Sequence, residues 1–296
     1  MTDEMKIKAI APWFGGKRTL APAIVAELGP HSAYWEPFCG SMAVLLAKEQ
    51  SSFETVNDQY GEVINLAWVL QREELAIELY ATVSRLLLHE EIFHEAAARY
   101  RERGHSPAGE PDVSRAADFM ICSWFGRNGV SGTSSYNQGF CVRYTKNGGH
   151  AATRWCSAVE SIPAWHQRLR SVTILNRDGF EVLERIEDAP GVVVYCDPPY
   201  VEKRCKYIHD FERADHARLA ELLFRFKRTR VVVSYYDHPE LDELYRQQPW
   251  FKRKLKATKA LVNQGMRDGK GAVEAPEVLW MNMEPLAADP AMKGLF

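Results

Sequence analysis

The amino-acid sequence predicts an α/β protein in which a parallel β-sheet is interrupted by a long inserted segment. Residues 1–70 contain two strand-like segments with a glycine turn between them, a pattern typical of the start of a nucleotide-type parallel sheet. Continuous apolar runs, as found in the buried strands of parallel sheets, resume only after residue 171. Between these two parts the apolar residues recur at helical spacing, and a polar segment rich in glycine and asparagine follows.

Each element is predicted from a run of apolar residues and the turn signal that follows it. Residues 33–38 are expected to form a strand that enters a Cys39-Gly40-Ser41 turn, and residues 42–49 an apolar helix. Apolar residues at helical spacing predict helices between residues 62 and 103. The remaining predictions are strands at residues 53–57, 172–176, 192–196, 230–235, 251–257 and 277–282, and helices at residues 115–125 and 215–226.

The composition is ordinary for a soluble globular protein, with 46% hydrophobic residues, 26% charged residues and a net charge of −2. No stretch approaches the roughly 20 apolar residues that a membrane span needs, and the N-terminal residues show no secretory signal. None of the six cysteines forms a Cys-x-x-Cys pair. This favours reduced cysteines in the cytoplasm and argues against a disulfide framework or a metal site.

The inserted segment, residues 71–171, differs from the rest of the chain in charge as well as in pattern. No acidic residue occurs between Asp118 and Glu160. Glycine and asparagine clusters in residues 127–149 flank a short strand-like run, which predicts a β-hairpin or an extended loop. A positive patch on a protein of near-neutral charge is typical of contact with a nucleic-acid backbone. The basic residues of this stretch include Arg127, Arg143, Lys146 and Arg154.

The tetrapeptide Asp197-Pro198-Pro199-Tyr200 follows directly on the apolar run at residues 192–196. Two adjacent prolines cannot donate ladder hydrogen bonds, so the chain must leave the sheet here with a rigid backbone. In open α/β sheets the ligand crevice lies at the carboxyl ends of the strands. The sequence therefore predicts that a carboxylate, a fixed carbonyl and an aromatic ring stand at the active site.

These three groups suit the methylation of an exocyclic amine. A carboxylate and a backbone carbonyl that accept the two N–H bonds would favour a pyramidal nitrogen, whose lone pair can point at an electrophilic methyl group. The tyrosine ring could stack on a base that has been flipped out of its helix. Because a sulfonium is a good leaving group, positioning should supply most of the rate.

Other candidate residues follow the N-terminal segment and the earlier strands. The turn at residues 36–41 contains Gly40, which allows a ligand to approach the backbone closely. Asp58 follows the second strand, near the spacing from Gly40 at which an acid meets a ribose hydroxyl. Residues 13–17, Trp-Phe-Gly-Gly-Lys, could pack over a cofactor. Asp178 follows the third strand, where it could bond an adenine amino group or cap the next helix.

Taken together, these motifs resemble the Dam-type (alpha-group) DNA adenine-N6 methyltransferases. The resemblance implies a class I S-adenosylmethionine-dependent methyltransferase fold, with a Rossmann-like, seven-stranded, mostly parallel sheet formed by residues 1–70 and 172–296. Residues 71–171 would form an inserted target-recognition domain of helices and a β-hairpin. The matching motifs, in order, are Trp13-Phe14-Gly15-Gly16-Lys17, Glu36-Pro37-Phe38-Cys39-Gly40, Asn57-Asp58, Asp178, Asp197-Pro198-Pro199-Tyr200 and Ser234-Tyr235.

The resemblance also implies site-specific transfer of a methyl group to N6 of a flipped adenine in double-stranded DNA, without a metal. The chain departs from the family pattern at Met42, where the family often has a second glycine. The implied contacts with S-adenosylmethionine are made by Trp13, Lys17, Glu36, Phe38, Gly40, Asp58, Asp178 and Asp197. The implied catalytic residues are Asp197, Pro198 and Tyr200, and the implied DNA contacts are Arg127, Asn128, Tyr136, Asn137, Arg143 and Lys146.

The residues alone leave alternatives open. The same tetrapeptide chemistry suits N4 of cytosine, adenine in RNA, or a protein glutamine amide, although the basic insertion favours a nucleic acid. A catalytically idle DNA-binding protein on the same scaffold is a further class, which the intact Asp197, Asp58 and Gly40 disfavour. The recognition sequence, the oligomeric state and a restriction endonuclease partner are not determined by the sequence.

Overall fold

The computed structural model describes residues 5–104, 106–126, 131–133, 139–140, 150–201, 208–255 and 277–286. Within these ranges the strands are β1 (Ala33–Glu36), β2 (Phe53–Asn57), β3 (Thr173–Leu175), β4 (Val192–Cys196), β5 (Arg230–Tyr236), β6 (Phe251–Leu255) and β7 (Glu277–Met281). The helices are α1 (Ala21–Leu28), α2 (Gly61–Gln71), α3 (Glu73–Val83), α4 (Glu90–Arg103), α5 (Val113–Phe125), α6 (Ala151–Glu160), α7 (Ile162–Leu169), α8 (Gly179–Glu184), α9 (Arg213–Phe224) and α10 (Pro239–Tyr245).

The strands form one seven-stranded sheet in the order β3-β2-β1-β4-β5-β7-β6. The pairs from β3 to β5 are parallel, whereas β7 is antiparallel to both of its neighbours. The mostly parallel, seven-stranded α/β fold that the resemblance implies is therefore confirmed. From β1 the chain proceeds to one side of the sheet, and from β4 to the other side, so that the strand order reverses between these two strands.

Helices α2 to α7 lie between β2 and β3 in the chain and pack on one another. Helix α5 contacts α2, α3, α4 and α6, and every residue from Arg115 to Phe125 is buried. Phe119 of α5 and Val56 of β2 belong to one continuous apolar core, and α2 contacts β3, so this group of helices shares its core with the sheet. Most of the predicted hairpin lies outside the described residues, and the division of the chain at residues 71 and 171 stays a prediction.

The helix predicted at residues 42–49 is wrong. Its first residue, Met42, has a left-handed backbone conformation with a φ of 60°, as does Gly40 two residues earlier, with a φ of 44°. The chain after them forms successive tight turns, in which the carbonyl of Val44 accepts from the amides of both Ala47 and Lys48. Met42 therefore cannot be a residue of a regular helix, because helical residues have right-handed backbone geometry.

Other predicted elements are confirmed with shifted ends. Helix α9 begins at Arg213, two residues earlier than predicted, because Glu212 and Asp215 form a reciprocal capping box at its N-terminus.

None of the helices in the described ranges combines the length and apolar character that a membrane span requires. The same ranges contain no group of three or more histidine, cysteine or acidic residues arranged to hold a metal ion.

Candidate active site

Two segments leave the sheet at the point where the strand order reverses. Residues 37–40 follow β1, and residues 197–200 follow β4, its neighbour in the centre of the sheet. Because the chain turns to opposite sides after these two strands, a crevice opens between their carboxyl ends. This is where open α/β sheets bind their ligands.

A pocket occupies this crevice, and its lining includes each residue that was predicted to contact the cofactor. Pro199 of the tetrapeptide also lines it, whereas Pro198 and Tyr200 are buried and do not. The fold thus brings together the N-terminal loop and the carboxyl ends of four strands. The predicted residues in the lining are Trp13, Lys17, Glu36, Phe38, Gly40, Asp58, Asp178 and Asp197.

Lys17, Asp197, Tyr200 and Glu277 form a hydrogen-bonded group that we call the charged cluster. Nζ of Lys17 lies 2.8 Å from Oδ1 of Asp197 and 3.3 Å from Oε1 of Glu277, and it donates to the carbonyl of Gly15. The hydroxyl of Tyr200 donates to Oε1 of Glu277 and lies 3.2 Å from Oδ1 of Asp197. The side chains of Lys17 and Glu277 are only 5% exposed, so these charges interact in surroundings of low polarity.

The charged cluster changes the acidity of its members. Burial raises the pKa of Asp197 to about 6; the positive charge of Lys17 opposes the increase, and the negative charge of Glu277 adds to it. Burial alone would lower the pKa of Lys17, but its two carboxylate partners raise it above its usual value. At neutral pH the lysine is therefore charged and Asp197 is mostly ionised, and Asp197 loses its charge in mild acid.

The ring of Tyr200 is largely enclosed. It is 6% exposed, its centroid lies 4.5 Å from that of Tyr236 and 5.7 Å from that of Tyr235, and Nζ of Lys17 lies 4.9 Å from it. A ring packed in this way offers too little surface for a base to stack on. The predicted stacking of Tyr200 on a flipped base therefore requires this ring to rearrange, and that contact stays a prediction.

The glycine turn after β1 is closed by the indole of Trp13. A Cβ atom at Gly40 would lie 2.7 Å from Nε1 of Trp13, so only glycine fits there. The amide of Gly40 donates to Oδ2 of Asp58 over 2.8 Å, and the amide of Tyr60 donates to Oδ1 over 2.9 Å. Because a carboxylate can accept about four hydrogen bonds, Asp58 keeps acceptor capacity toward the pocket.

Glu36 ends β1 as a buried acid in the same lining. It is 2% exposed, and its Oε2 accepts a hydrogen bond of 2.9 Å from the hydroxyl of Tyr34. Burial raises the pKa of Glu36 to about 8; the bond from Tyr34 opposes the increase, and the charge of Asp197 contributes to it. Glu36 is thus largely protonated at neutral pH, whereas Asp197 is largely ionised.

Asp178 has the structural role that the sequence left open, and it also lines the pocket. Its Oδ1 accepts from the amide of Phe180 over 2.7 Å and so caps the N-terminus of α8. Asn57 holds the neighbouring segment in place, since its Nδ2 donates to the carbonyls of Pro37 (2.9 Å) and Arg177 (3.0 Å). The ends of β1, β2 and β3 are therefore fixed relative to one another.

Phe38, Phe180 and Phe211 line the pocket near Asp178, and we call them the aromatic wall. The rings of Phe180 and Phe211 are stacked, with an interplanar angle of 16° and centroids 5.3 Å apart. Phe38 meets Phe211 edge-on at 5.6 Å, and the guanidinium of Arg218 lies 4.2 Å from the centroid of Phe180. An apolar, flat surface beside a hydrogen-bond acceptor suits a purine ring.

The inserted segment reaches the pocket through residues 131–133. Gly132 lines the pocket with a φ of 82°, and a Cβ atom there would lie 2.7 Å from the ring of Trp13. Ser131 pairs with Trp13 in an isolated parallel bridge. The residues predicted to contact DNA lie outside the described part of the chain: Arg127, Asn128, Tyr136, Asn137, Arg143 and Lys146.

Glu277 and Phe211 belong to the site but were not predicted from the sequence. The signal for Glu277 is a single acid at the head of the apolar run of β7. Its position at the site depends on the antiparallel direction of that strand, which places its first residue at the carboxyl edge of β5. Phe211 reaches the pocket from the loop before α9, and no local pattern distinguishes it from a core phenylalanine.

Comparison with known proteins agrees with this geometry. The sequence model of the D12 class N6 adenine-specific DNA methyltransferases matches residues 13–261. The retron Ec67 DNA adenine methylase of Escherichia coli is 26% identical over 290 residues, which cover 94% of this chain and 95% of that protein. The DNA N-6-adenine-methyltransferase of Escherichia phage P1 is 28% identical over 276 residues, which cover 86% of this chain and 34% of the phage protein.

The family match extends from the N-terminal loop through the tetrapeptide and past β6, so it includes most of the lining of the pocket. It confirms the predicted Dam-type resemblance and the predicted enzyme class. Among the acceptors left open by the residues alone, it selects adenine in DNA over cytosine, RNA and protein. The chain belongs to the D12 class of N6 adenine-specific DNA methyltransferases.

Proposed function

We propose that this enzyme binds S-adenosylmethionine in the pocket at the carboxyl edge of the sheet and methylates N6 of an adenine flipped out of duplex DNA at specific sites. The main support for this function is that the residues predicted to contact the cofactor lie together in one pocket. Eight positions selected from the sequence as cofactor contacts line a single pocket, and Asp197 lies in it within the charged cluster. Family membership supports the use of this cofactor and of DNA as the substrate.

The polar groups of the pocket fit the cofactor. Asp58 has acceptor capacity for the ribose hydroxyls, and Asp178 beside the aromatic wall suits the amino group and ring of adenine. Gly40 allows the methionine part to approach the backbone closely. The negative charge of Asp197 favours a cationic ligand. The positive charge of that ligand would in turn favour the ionised form of Glu36. When bound, S-adenosylmethionine supplies an electrophilic methyl group on a good leaving group.

Trp13 and Lys17 shape the pocket from the N-terminal side. The indole of Trp13 lies against Gly40 and Gly132, so it bridges the glycine turn and the inserted segment. Lys17 fixes the Asp197 carboxylate by an ion pair of 2.8 Å. Both residues therefore contribute to the shape of the site before any ligand enters, and preorganised groups of this kind require little rearrangement during the reaction.

The tetrapeptide holds the target amine. Lys17 and Tyr200 both contact Oδ1 of Asp197. In the proposed complex Oδ2 of Asp197 accepts one N6–H bond. The carbonyl of Pro198, which does not line the pocket before DNA binds, becomes accessible and accepts the other. These two bonds favour a pyramidal nitrogen whose lone pair points at the methyl carbon. Bound S-adenosylmethionine would supply the methyl group, with the carbon–sulfur electron pair left on sulfur as a neutral thioether, and the proton lost from the nitrogen would pass to the Asp197 carboxylate that accepts its hydrogen bond.

The inserted segment is the part of the enzyme proposed to bind duplex DNA. N6 of a paired adenine is inaccessible to a pocket at a sheet edge, so the base must leave the stack. The acid-free, basic stretch that contains the predicted DNA contacts suits the phosphate backbone. Ser131 and Gly132 of this segment contact Trp13, which lines the pocket. The DNA-binding segment and the cofactor site are therefore adjacent.

The test is methylation of duplex DNA by the purified enzyme, followed by digestion and mass analysis of the nucleosides. Wild-type enzyme is expected to produce N6-methyladenine only when S-adenosylmethionine is present. Asp197→Asn should reduce the yield at least about 100-fold, because a charged acceptor is removed from a buried site. Asp188→Asn, an aspartate four residues before β4 at the opposite edge of the sheet, is the matched control and should keep its activity. Wild-type activity in Asp197→Asn would sink the proposed mechanism.

A further inference from the structure

Glu277 is a buried acid that lies outside every predicted motif. It is the first residue of β7, which runs antiparallel between β5 and β6. In this register Glu277 lies opposite Tyr236 of β5 and Leu255 of β6. Because β7 runs against its neighbours, its first residue stands at the carboxyl edge of the sheet, where it contacts the segment that follows β4.

Glu277 contacts two members of the charged cluster at once. Its Oε1 accepts from the hydroxyl of Tyr200 and lies 3.3 Å from Nζ of Lys17. The same hydroxyl and ammonium lie 3.2 Å and 2.8 Å from Oδ1 of Asp197. One cation and one phenol are therefore shared between two carboxylates. The positive charge of Lys17 cannot be assigned to Asp197 alone.

We propose that Glu277 is a positioning residue for methyl transfer, which acts through Lys17 and Tyr200 to orient Asp197 and to keep its carboxylate a strong hydrogen-bond acceptor for the target amine. This inference rests on the proposed role of Asp197 as the acceptor of an N6–H bond. Glu277 shares the ammonium of Lys17 and receives the hydroxyl of Tyr200. Asp197 is then less fully satisfied by its protein partners, and it remains a strong acceptor toward the pocket.

A purely structural role for Glu277 predicts different behaviour, because loss of the side chain would then lower the stability of the fold without a matching loss of kcat. The proposed role makes Glu277 part of the electrostatic surroundings of Asp197. Its negative charge raises the pKa of Asp197, whereas the hydrogen bond from Tyr200 lowers it. The ionisable groups of the described residues that interact with Asp197 include Lys17, Glu36, Tyr195, Cys196, Tyr200, Tyr235 and Glu277.

The experiment compares pH profiles of kcat/KM for duplex DNA at saturating S-adenosylmethionine. Glu277→Gln should lower kcat roughly tenfold, about the effect of one lost charged hydrogen bond, and should move the acid limb to lower pH. Tyr200→Phe should move the acid limb in the opposite direction, to higher pH. Glu243→Gln on α10, where the glutamate is exposed, is the matched control and should leave both quantities unchanged.

An acid limb that stays at its wild-type position in Glu277→Gln would overturn the inference, even if the melting temperature falls. If this variant does not fold, Glu277→Asp keeps the charge and shortens the side chain. It should then retain the acid limb and lose kcat, whereas wild-type kcat would overturn the inference. The proposed function is tested separately: an active Asp197→Asn refutes it, while an inactive Asp197→Asn with a wild-type-like Glu277→Gln refutes only the role of Glu277.

Discussion

The charged cluster and the aromatic wall belong to the same site but are stabilised by different interactions. In the charged cluster, the ammonium of Lys17 and the hydroxyl of Tyr200 both donate to the carboxylates of Asp197 and Glu277. In the aromatic wall, Phe180 and Phe211 stack with centroids 5.3 Å apart, and Phe38 meets Phe211 edge-on. One region depends on the charge state of its members, and the other on shape and apolar area.

This difference predicts a division of labour. Buried charges act strongly on a group that gains or loses charge during a reaction, so the charged cluster should control the rate of methyl transfer. Ring surfaces act equally on the bound ground state and transition state, so the aromatic wall should control cofactor affinity. Substitutions in the two regions should therefore separate kcat from the dissociation constant of S-adenosylmethionine.

The largest effect is expected from Lys17→Met. Without the ammonium, Asp197 and Glu277 are two buried carboxylates without their shared cation, and the pKa of Asp197 rises because the opposing positive charge is lost. Activity at neutral pH should fall at least about 100-fold, and the free energy of unfolding should fall by about 3 kcal/mol. Methyl-transfer assays and urea unfolding measure the two effects. Lys6→Met, at a half-exposed lysine paired with Glu160, is the control and should change neither much.

The wild-type enzyme should lose activity as the pH falls through about 6. The pKa of Asp197 is raised to about 6 in the folded protein, and only the ionised carboxylate accepts the N6–H bond. Below this pH each further unit of acidity should reduce kcat/KM about tenfold. A profile that stays flat well below pH 6, in enzyme shown by circular dichroism to be folded, would contradict the assignment of Asp197.

A smaller effect, of a different kind, is expected from Phe211→Ala. Loss of the stacked ring should raise the dissociation constant of S-adenosylmethionine about tenfold, since such ring contacts contribute about 1 kcal/mol beyond the buried area. The value of kcat at saturating cofactor should stay within about twofold of wild type. Titration calorimetry measures the affinity, and Phe53→Ala, at a phenylalanine that is 72% exposed, is the control. A fall in kcat without a change in affinity would refute the division of labour.

The smallest effect is expected at Met42, in the turn that follows β1. Met42 is fully buried and has a φ of 60°, a conformation that costs about 1 kcal/mol for any residue with a Cβ atom. Met42→Ala and Met42→Gly both remove the buried side chain, but only glycine removes the strain. Met42→Gly should therefore be more stable than Met42→Ala by about 1 kcal/mol in denaturant unfolding. The reverse order, which is usual at right-handed positions, would show that the turn is not strained.

The sequence predicted the parts of the fold and site that depend on local pattern. The two prolines after an apolar run located the end of β4, and Gly40 located the turn after β1. The helix predicted after that turn was wrong because the left-handed conformation of Met42 is imposed by the surrounding fold. No propensity of methionine signals such a conformation, although a glycine in the family at this position is consistent with it.

The parts of the site that were missed depend on tertiary structure. Glu277 reaches Lys17 and Tyr200 only because β7 inserts antiparallel between two parallel strands. Phe211 completes the aromatic wall from a loop that is distant in sequence from Phe38. The enclosed ring of Tyr200 was also not predictable, since the tetrapeptide specifies an aromatic residue but not the partners of its hydroxyl.

In the proposed mechanism Asp197 and Pro198 bind the amino group of the target adenine. The most direct test is a crystal structure of the enzyme with S-adenosylhomocysteine and a duplex that it methylates. The expected structure contains a flipped adenine whose N6 lies about 3 Å from a carboxylate oxygen of Asp197 and from the carbonyl oxygen of Pro198. A flipped adenine whose N6 is bound by other groups, with Asp197 out of hydrogen-bonding reach, would contradict it.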